Sequence, residues 1–146
     1  MTRFVLLLAV LPATLARGQE ATTLQATTAV ARESDRCLDH AVKELGMSAK
    51  QVEKERRWRI GPQFLHPALV PSGSLEVELR PGEVETRVQV TARWPGAPKE
   101  RAVQDEVEAR LTAIASKLAQ MCGVTAPVVR CTLAPAGASP VPCHGS

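Results

Sequence analysis

Residues 75–94 read LEVELRPGEVETRVQVTARW. Leu75, Val77 and Leu79 alternate with Glu76, Glu78 and Arg80. Beyond Pro81-Gly82, Val84, Thr86, Val88, Val90, Ala92 and Trp94 alternate with Glu85, Arg87, Gln89 and Arg93. A period of two on both arms, with turn residues between them, is the pattern of an antiparallel hairpin with one buried face. A turn at Pro81-Gly82 pairs Arg80 with Glu83. It sets Leu79 opposite Val84, Val77 opposite Thr86 and Leu75 opposite Val88, with Glu76 facing Arg87 on the polar side. Pro-Gly favours a type II turn, whereas two-residue hairpins prefer primed turns, so a local bulge fits here.

The apolar face of such a hairpin needs cover. Pro95 to Pro98 end its second arm, and residues 99–121 then carry Val103, Val107, Leu111, Ile114, Leu118 and Met121 at helical spacing. Gly123 follows as a stop. A second helix is expected over 34–45, with Ser34 as N-cap, Asp35 in the first turn, and Cys37, Leu38, Ala41, Val42 and Leu45 on one face. Gly46 closes it. Val128 to Leu133 reads as a short strand. Residues 48–60 fit a helical start, through a Ser48–Gln51 capping box, and an extended end. The Pro- and Gly-rich residues 61–74 read as a loop. No internal repeat is visible.

These elements make an α+β two-layer sandwich. A small, mostly antiparallel sheet, the hairpin 75–94 plus strand 128–133, is covered on one face by helices 34–45 and 99–121. The single domain spans 33–133. Residues 19–32 (QEATTLQATTAVAR) lack apolar periodicity and read as a flexible lead, and 134–146 as a Pro-rich tail tethered by a disulfide. Over Ser34 to Leu133, with Gly123-Val124 ahead of the last strand, the element order resembles that of BON-type envelope modules. The long second helix, the glycine-poor hairpin and the cysteines depart from their pattern. The resemblance concerns topology, which does not fix function.

Residues 1–18 (MTRFVLLLAVLPATLARG) have the layout of a secretory signal peptide: Arg3, an apolar run from Phe4 to Leu11, then Ala16-Arg17-Gly18 as a small-x-small cleavage site. The mature chain then starts at Gln19, or at Arg17 if cleavage follows Ala16. The run is too short to span a bilayer, which takes about 20 apolar residues. No later segment reads as transmembrane, and no cysteine near the cleavage site offers a lipid anchor. The expected address is the periplasm or the exterior.

The four cysteines, Cys37, Cys122, Cys131 and Cys143, suit an oxidising compartment and two disulfides. Three pairings are possible. The favoured one joins Cys37 to Cys122, on the two helices, and Cys131 to Cys143, which ties down the tail. No Cys-x-x-Cys pair suggests a redox enzyme. The pairs Cys37/His40 and Cys143/His144 are too sparse for a zinc site, so no metal or cofactor is expected.

Of the 146 residues, 45% are apolar and 23% charged, and the formal charge is +3. Without Arg3 and Arg17 it is +1, too small for a dedicated nucleic-acid binder. Aromatics at 3%, with no Tyr, argue against stacking platforms for bases or sugars. A Gly-x-Ser-x-Gly elbow, a phosphate loop and a dinucleotide fingerprint are all absent.

The most basic spot is Arg56, Arg57 and Arg59 around Trp58, next to Phe64 and His66 in the following loop. These six residues form the candidate binding patch. The reading favoured is an exported, disulfide-stabilised, non-catalytic domain that binds an unidentified envelope or extracellular component. The alternatives are a small secreted hydrolase using His66 or His40 with a carboxylate, and a purely structural or inhibitory module.

Overall fold

The computed structural model describes residues 20–45, 49–52 and 54–144. The expected signal peptide, Ser48 cap and Gly46 stop fall outside the described residues. Among the described residues the chain forms a seven-stranded antiparallel sheet and two α-helices. The strands are β1 (Ala21–Ala31), β2 (Lys50–Gln51), β3 (Arg57–Arg59), β4 (Ser74–Pro81), β5 (Glu85–Pro95), β6 (Arg130–Ala134) and β7 (Val141–Pro142). The helices are α1 (Asp35–Glu44) and α2 (Arg101–Met121). The sheet order is β2-β3-β4-β5-β1-β6-β7. The expected α+β class holds, but the sheet is far wider than a hairpin plus one strand.

The main correction is β1. The supposed flexible lead is an eleven-residue strand that pairs with β5 along its whole length and with β6 on its other side. Its exposure alternates strictly. Thr22, Leu24, Ala26, Thr28 and Val30 are buried, and the residues between them are half-buried. Both faces are mostly Thr and Ala, with Leu24 and Val30 alone marking the buried one, so the hydrophobic contrast that would betray a period of two is weak. The β-branched threonines favour extended backbone all the same. Buried hydroxyls need partners. Thr22 Oγ1 donates to Gly96 O at 2.7 Å and accepts from Ala136 N at 3.1 Å. Thr28 Oγ1 donates to Val128 O at 3.0 Å.

The hairpin exists, with a shifted register. Leu75 pairs with Ala92, Val77 with Val90 and Leu79 with Val88, so each partner lies four residues further along than the sequence suggests. An even shift keeps the same residues on the buried face. The reason lies in the turn. Gly82 N–H donates to Glu85 O at 2.8 Å, which puts Glu83-Val84 at the tip and leaves Pro81 in the strand. Pro81 thereby escapes a tight turn of the wrong twist, and Val84, expected in the core, is 81% exposed. Arg32, just past β1, latches the tip: its amide donates to Val84 O and its Nη1 to Gly82 O. Glu76 stands opposite Thr91, not Arg87.

The helices form where expected. Ser34 precedes α1 but makes no side-chain cap hydrogen bond. The expected stripe of α2 is buried from Val107 to Leu118, joined by Ala115 and Ala119, and α2 packs on β1 and β5. Gly123, at φ +94°, ends α2 in a Schellman arrangement: its amide donates to Gln120 O and that of Val124 to Ala119 O. Residues 48–60 are strand at Lys50–Gln51 and Arg57–Arg59, so Gln51 is extended rather than helical. The loop 61–74 carries two short 3-10 turns that bury Leu65 and Leu69. The tail is not merely a linker, because Val141–Pro142 adds a seventh strand beside β6.

The core lies between the helices and the sheet face made by Leu24, Ala26, Val88, Val90, Val77 and their neighbours. Trp94 is buried there, with Nε1 donating to Ala97 O at 3.0 Å. The disulfides are Cys37–Cys122, joining α1 to the end of α2, and Cys131–Cys143, joining β6 to the tail. Their sequence separations are 85 and 12 residues. In the chain-entropy picture the longer loop contributes about 4–5 kcal/mol and the shorter about 3. Replacing Cys37 and Cys122 together by Ser should therefore cost more stability in urea unfolding than replacing Cys131 and Cys143 together. The reverse order would show that the denatured chain is not what these links chiefly restrain.

Candidate functional site

The six residues of the basic patch are divided by strand alternation. Trp58 pairs with Val77 and points into the core, 2% exposed, whereas Arg57 and Arg59 point to the opposite face of the sheet. Trp58 is thus a core residue and offers no contact surface.

Arg56 precedes β3 and reaches α1. Its Nη1 donates to both Asp35 carboxylate oxygens at 2.8 and 3.0 Å. Nε and Nη2 donate to Asp39, each at 3.2 Å, and Nη2 also donates to Asp35 O. Thr86 on β5 adds a hydrogen bond of 2.6 Å to Asp35 Oδ1. The guanidinium is consumed in a clamp between α1, β3 and β5. Burial by itself raises the Asp35 carboxyl, but the Thr86 hydroxyl, then Arg56, then Arg32 hold it below its ordinary value of 3.8.

Phe64 and His66 belong to another contact. Arg110 of α2 donates to Phe64 O at 3.4 Å. His66 Nδ1 accepts from Ala68 N at 3.1 Å, so Nε2 carries the proton and meets Glu106 Oε2 at 2.6 Å. These bonds pin the Pro-rich loop to α2. A histidine–carboxylate pair does exist, but both ring nitrogens are already engaged. His40 is exposed on α1.

A groove of about 730 Å³ runs between α2 and the tail, lined by Asp105, Glu108, Ser116, Cys131 and His144 among others. No hydrogen bond links His144 to Ser116 or to either carboxylate among the described residues. Glu108 also lies close to the sulfurs of Cys131 and Cys143. Those sulfurs form a disulfide and offer no thiolate to a metal.

The face of the sheet turned away from the helices has a different character. Among the described residues seven cationic side chains, Lys50, Arg57, Arg59, Arg80, Arg87, Arg93 and Arg130, share it with three strand carboxylates, Glu76, Glu78 and Glu85, and with Glu55, which reaches Arg57. Elsewhere the described residues hold nine cationic groups against ten acidic ones, so the positive charge is concentrated here. On the β3–β4 side the charges are paired. Arg57 meets Glu55 and Glu76, Arg59 meets Glu76, and Arg80 meets Glu78. Arg57 Nε is buried without a hydrogen-bond acceptor. On the β5–β1–β6 side, Arg87, Arg93 and Arg130 are exposed and make no hydrogen bond or ion pair among the described residues. Between them lie Thr23, Gln25, Thr27, Gln89, Thr91 and Thr132, lining two shallow grooves of about 550 and 490 Å³ that meet at Gln25 and Gln89.

Of the six residues read from the sequence, only Arg57 and Arg59 are on this face. Nothing in their sequence neighbourhoods sets the three open arginines apart. Arg87 and Arg93 already stood on the polar side of the hairpin, but Arg130 joins them only once β1 is placed between β5 and β6.

No family model, curated protein or solved structure matches the chain. The element order that resembled BON-type modules left out β1, β2, β3 and β7.

The clamp has a measurable acid signature. A depressed folded value means that its stabilisation is complete above the unfolded Asp value and is lost as pH falls through the folded one. Asp35→Asn should cost about 2 kcal/mol at neutral pH, since it removes a charged hydrogen-bond acceptor. It should also flatten the loss of stability below pH ~4. Urea unfolding between pH 2 and 7 checks both, and an unchanged acid limb in the variant would contradict the assignment.

Proposed function

We propose that this chain is an exported, disulfide-stabilised, non-catalytic domain that binds a component of the cell envelope or exterior through the open face of its sheet. The single domain then runs over 20–144, wider than the sequence reading, with β1 and the tail as parts of it. Two disulfides suit an oxidising compartment, as does the leader-like segment at residues 1–18. Among the described residues no helix is long and apolar enough to cross a membrane.

The observation that carries the proposal is the trio of unpaired guanidinium groups, Arg87, Arg93 and Arg130, on a face with a local excess of positive charge. An arginine usually finds a carboxylate within its own fold where one is near, as Arg56 does. Three left open on one side are available to something else. The Arg56 clamp, the His66–Glu106 pin and the Arg57–Glu76–Arg59 cluster are fold contacts, and other cations without an ion pair, such as Arg36, Lys43 and Lys117, are spread over the helices rather than gathered on one strip.

The sheet edges do not compete for this role. The edge strands β2 and β7 are two residues each, and β7 contains Pro142, which has no N–H to donate to an added strand.

The test is affinity capture from extracts of the native envelope, with wild type and Arg87→Gln/Arg93→Gln/Arg130→Gln compared. The expected result is a component held by the wild type and lost by the triple variant, with unfolding midpoints unchanged. Identical capture by both proteins would remove the face from consideration.

A further inference from the structure

The partner's chemistry can be taken one step further, on the basis of the binding face proposed above. We infer that the β5–β1–β6 strip takes an acidic polysaccharide: an extended, hydroxyl-rich chain bearing carboxylate or sulfate groups at regular intervals.

The strip has two kinds of group. The first is the open arginines. Arg87 and Arg93 are six residues apart on β5, a separation of about 20 Å, and Arg130 lies two strands away, about 10 Å to the side. One small anion cannot meet all three, whereas an extended polyanion can. Each guanidinium offers a planar fork to a carboxylate or sulfate oxygen pair.

The second is the uncharged floor. Gln89 is 7% exposed, yet its amide makes no hydrogen bond among the described residues. It lines both grooves, so its amide is reached from the groove side. Among the described residues the buried side-chain polar atom without a partner is Arg57 Nε, so the Gln89 amide keeps its access to water through the grooves and can exchange that water for a ligand's hydrogen bonds. Gln25, also without a partner, stands one row along on β1. Amides and threonine hydroxyls both donate and accept, which is what sugar hydroxyls require.

Three other polyanions fit less well. Among the described residues this face carries no aromatic side chain, which removes the base stacking that holds a nucleic acid; the sugar rings of a polysaccharide lose their stacking too, but its charged groups and hydroxyls still match the arginines, amides and threonines here. A flat anionic membrane would press on the whole face at once, including Glu76, Glu78 and Glu85, and the only large apolar side chain at the strip is Val128, at one end. A single chain in the grooves meets Glu76 and Glu78 already paired with Arg59 and Arg80, and it meets Glu85 only at the end beside Arg87. A protein partner would want an apolar centre to its interface, and the centre here is two glutamines.

The experiment is isothermal titration of the full mature chain with polygalacturonate and with heparin, from 50 to 300 mM salt. Poly-glutamate and vesicles rich in phosphatidylglycerol are run in parallel. The expected result is binding to a polysaccharide that weakens with salt. Arg87→Gln/Arg93→Gln/Arg130→Gln should lower its affinity at least 30-fold at low salt and flatten the salt dependence. Gln89→Ala should lower affinity about fivefold with the salt dependence intact, the loss expected for roughly one hydrogen bond. Arg36→Gln/Lys43→Gln/Lys117→Gln, which removes the same charge from the helices, should change little. If poly-glutamate or vesicles bind through the three arginines and neither polysaccharide does, the polysaccharide is wrong and the binding face stands. If nothing binds, or the two triple variants lose affinity equally, both the ligand class and the face are overturned.

Discussion

One interior strand of the sheet, β1 between β5 and β6, has almost no bulk. Of the eleven residues of β1, only Leu24, Gln25 and Val30 are larger than threonine. Everything else is arranged around that constraint. Small side chains at Ala26, Ala92, Ala115 and Ala119, all fully buried, let α2 lie against β1 and β5. The polar threonines on the buried side must each find a hydrogen-bond partner, and they find it in carbonyls beyond the ends of neighbouring elements: Gly96 after β5 and Val128 before β6. A strand of large aliphatic residues would make stronger apolar contacts but would not specify those two junctions.

The helix layer is then fixed by connections of different chemical kinds. Cys37–Cys122 ties α1 to α2 covalently. The Arg56 clamp ties the first turns of α1 to β3 and, through Thr86, to β5. The His66–Glu106 contact ties the Pro-rich loop to α2. Each uses a charged or reactive group that sequence inspection alone would offer as a functional candidate. With these groups spent on the fold, the open sheet face is where three arginines without partners gather, on β5 and β6, and the proposed function rests on that grouping.

Legibility in the sequence followed hydrophobic contrast. The hairpin, both helices and the disulfide pairing could be read because Leu, Val and Ile recur at clear periods and because Cys37 and Cys122 lie beside the apolar stripes. β1 could not be read, since Thr22 and Thr28 are buried yet polar, while Ala21 and Ala29 are apolar yet half-buried. The hairpin register slipped by an even number of residues, an error that side-chain alternation cannot expose. The basic patch divides because neighbours in sequence need not be neighbours in space. In a strand they are not: Arg57 and Arg59 share a face that Trp58 leaves. The unpaired arginines come from two strands, β5 and β6, separated by the very strand that went unrecognised.

Native-state hydrogen exchange tests the placement of β1 most directly. A central strand bonded on both sides should have the amides of Leu24 to Thr27 exchange only through global unfolding, as slowly as those of Val88 to Ala92 in β5. Exchange of those β1 amides at rates near those of an unstructured peptide, with β5 still protected, would contradict a sheet built around this segment.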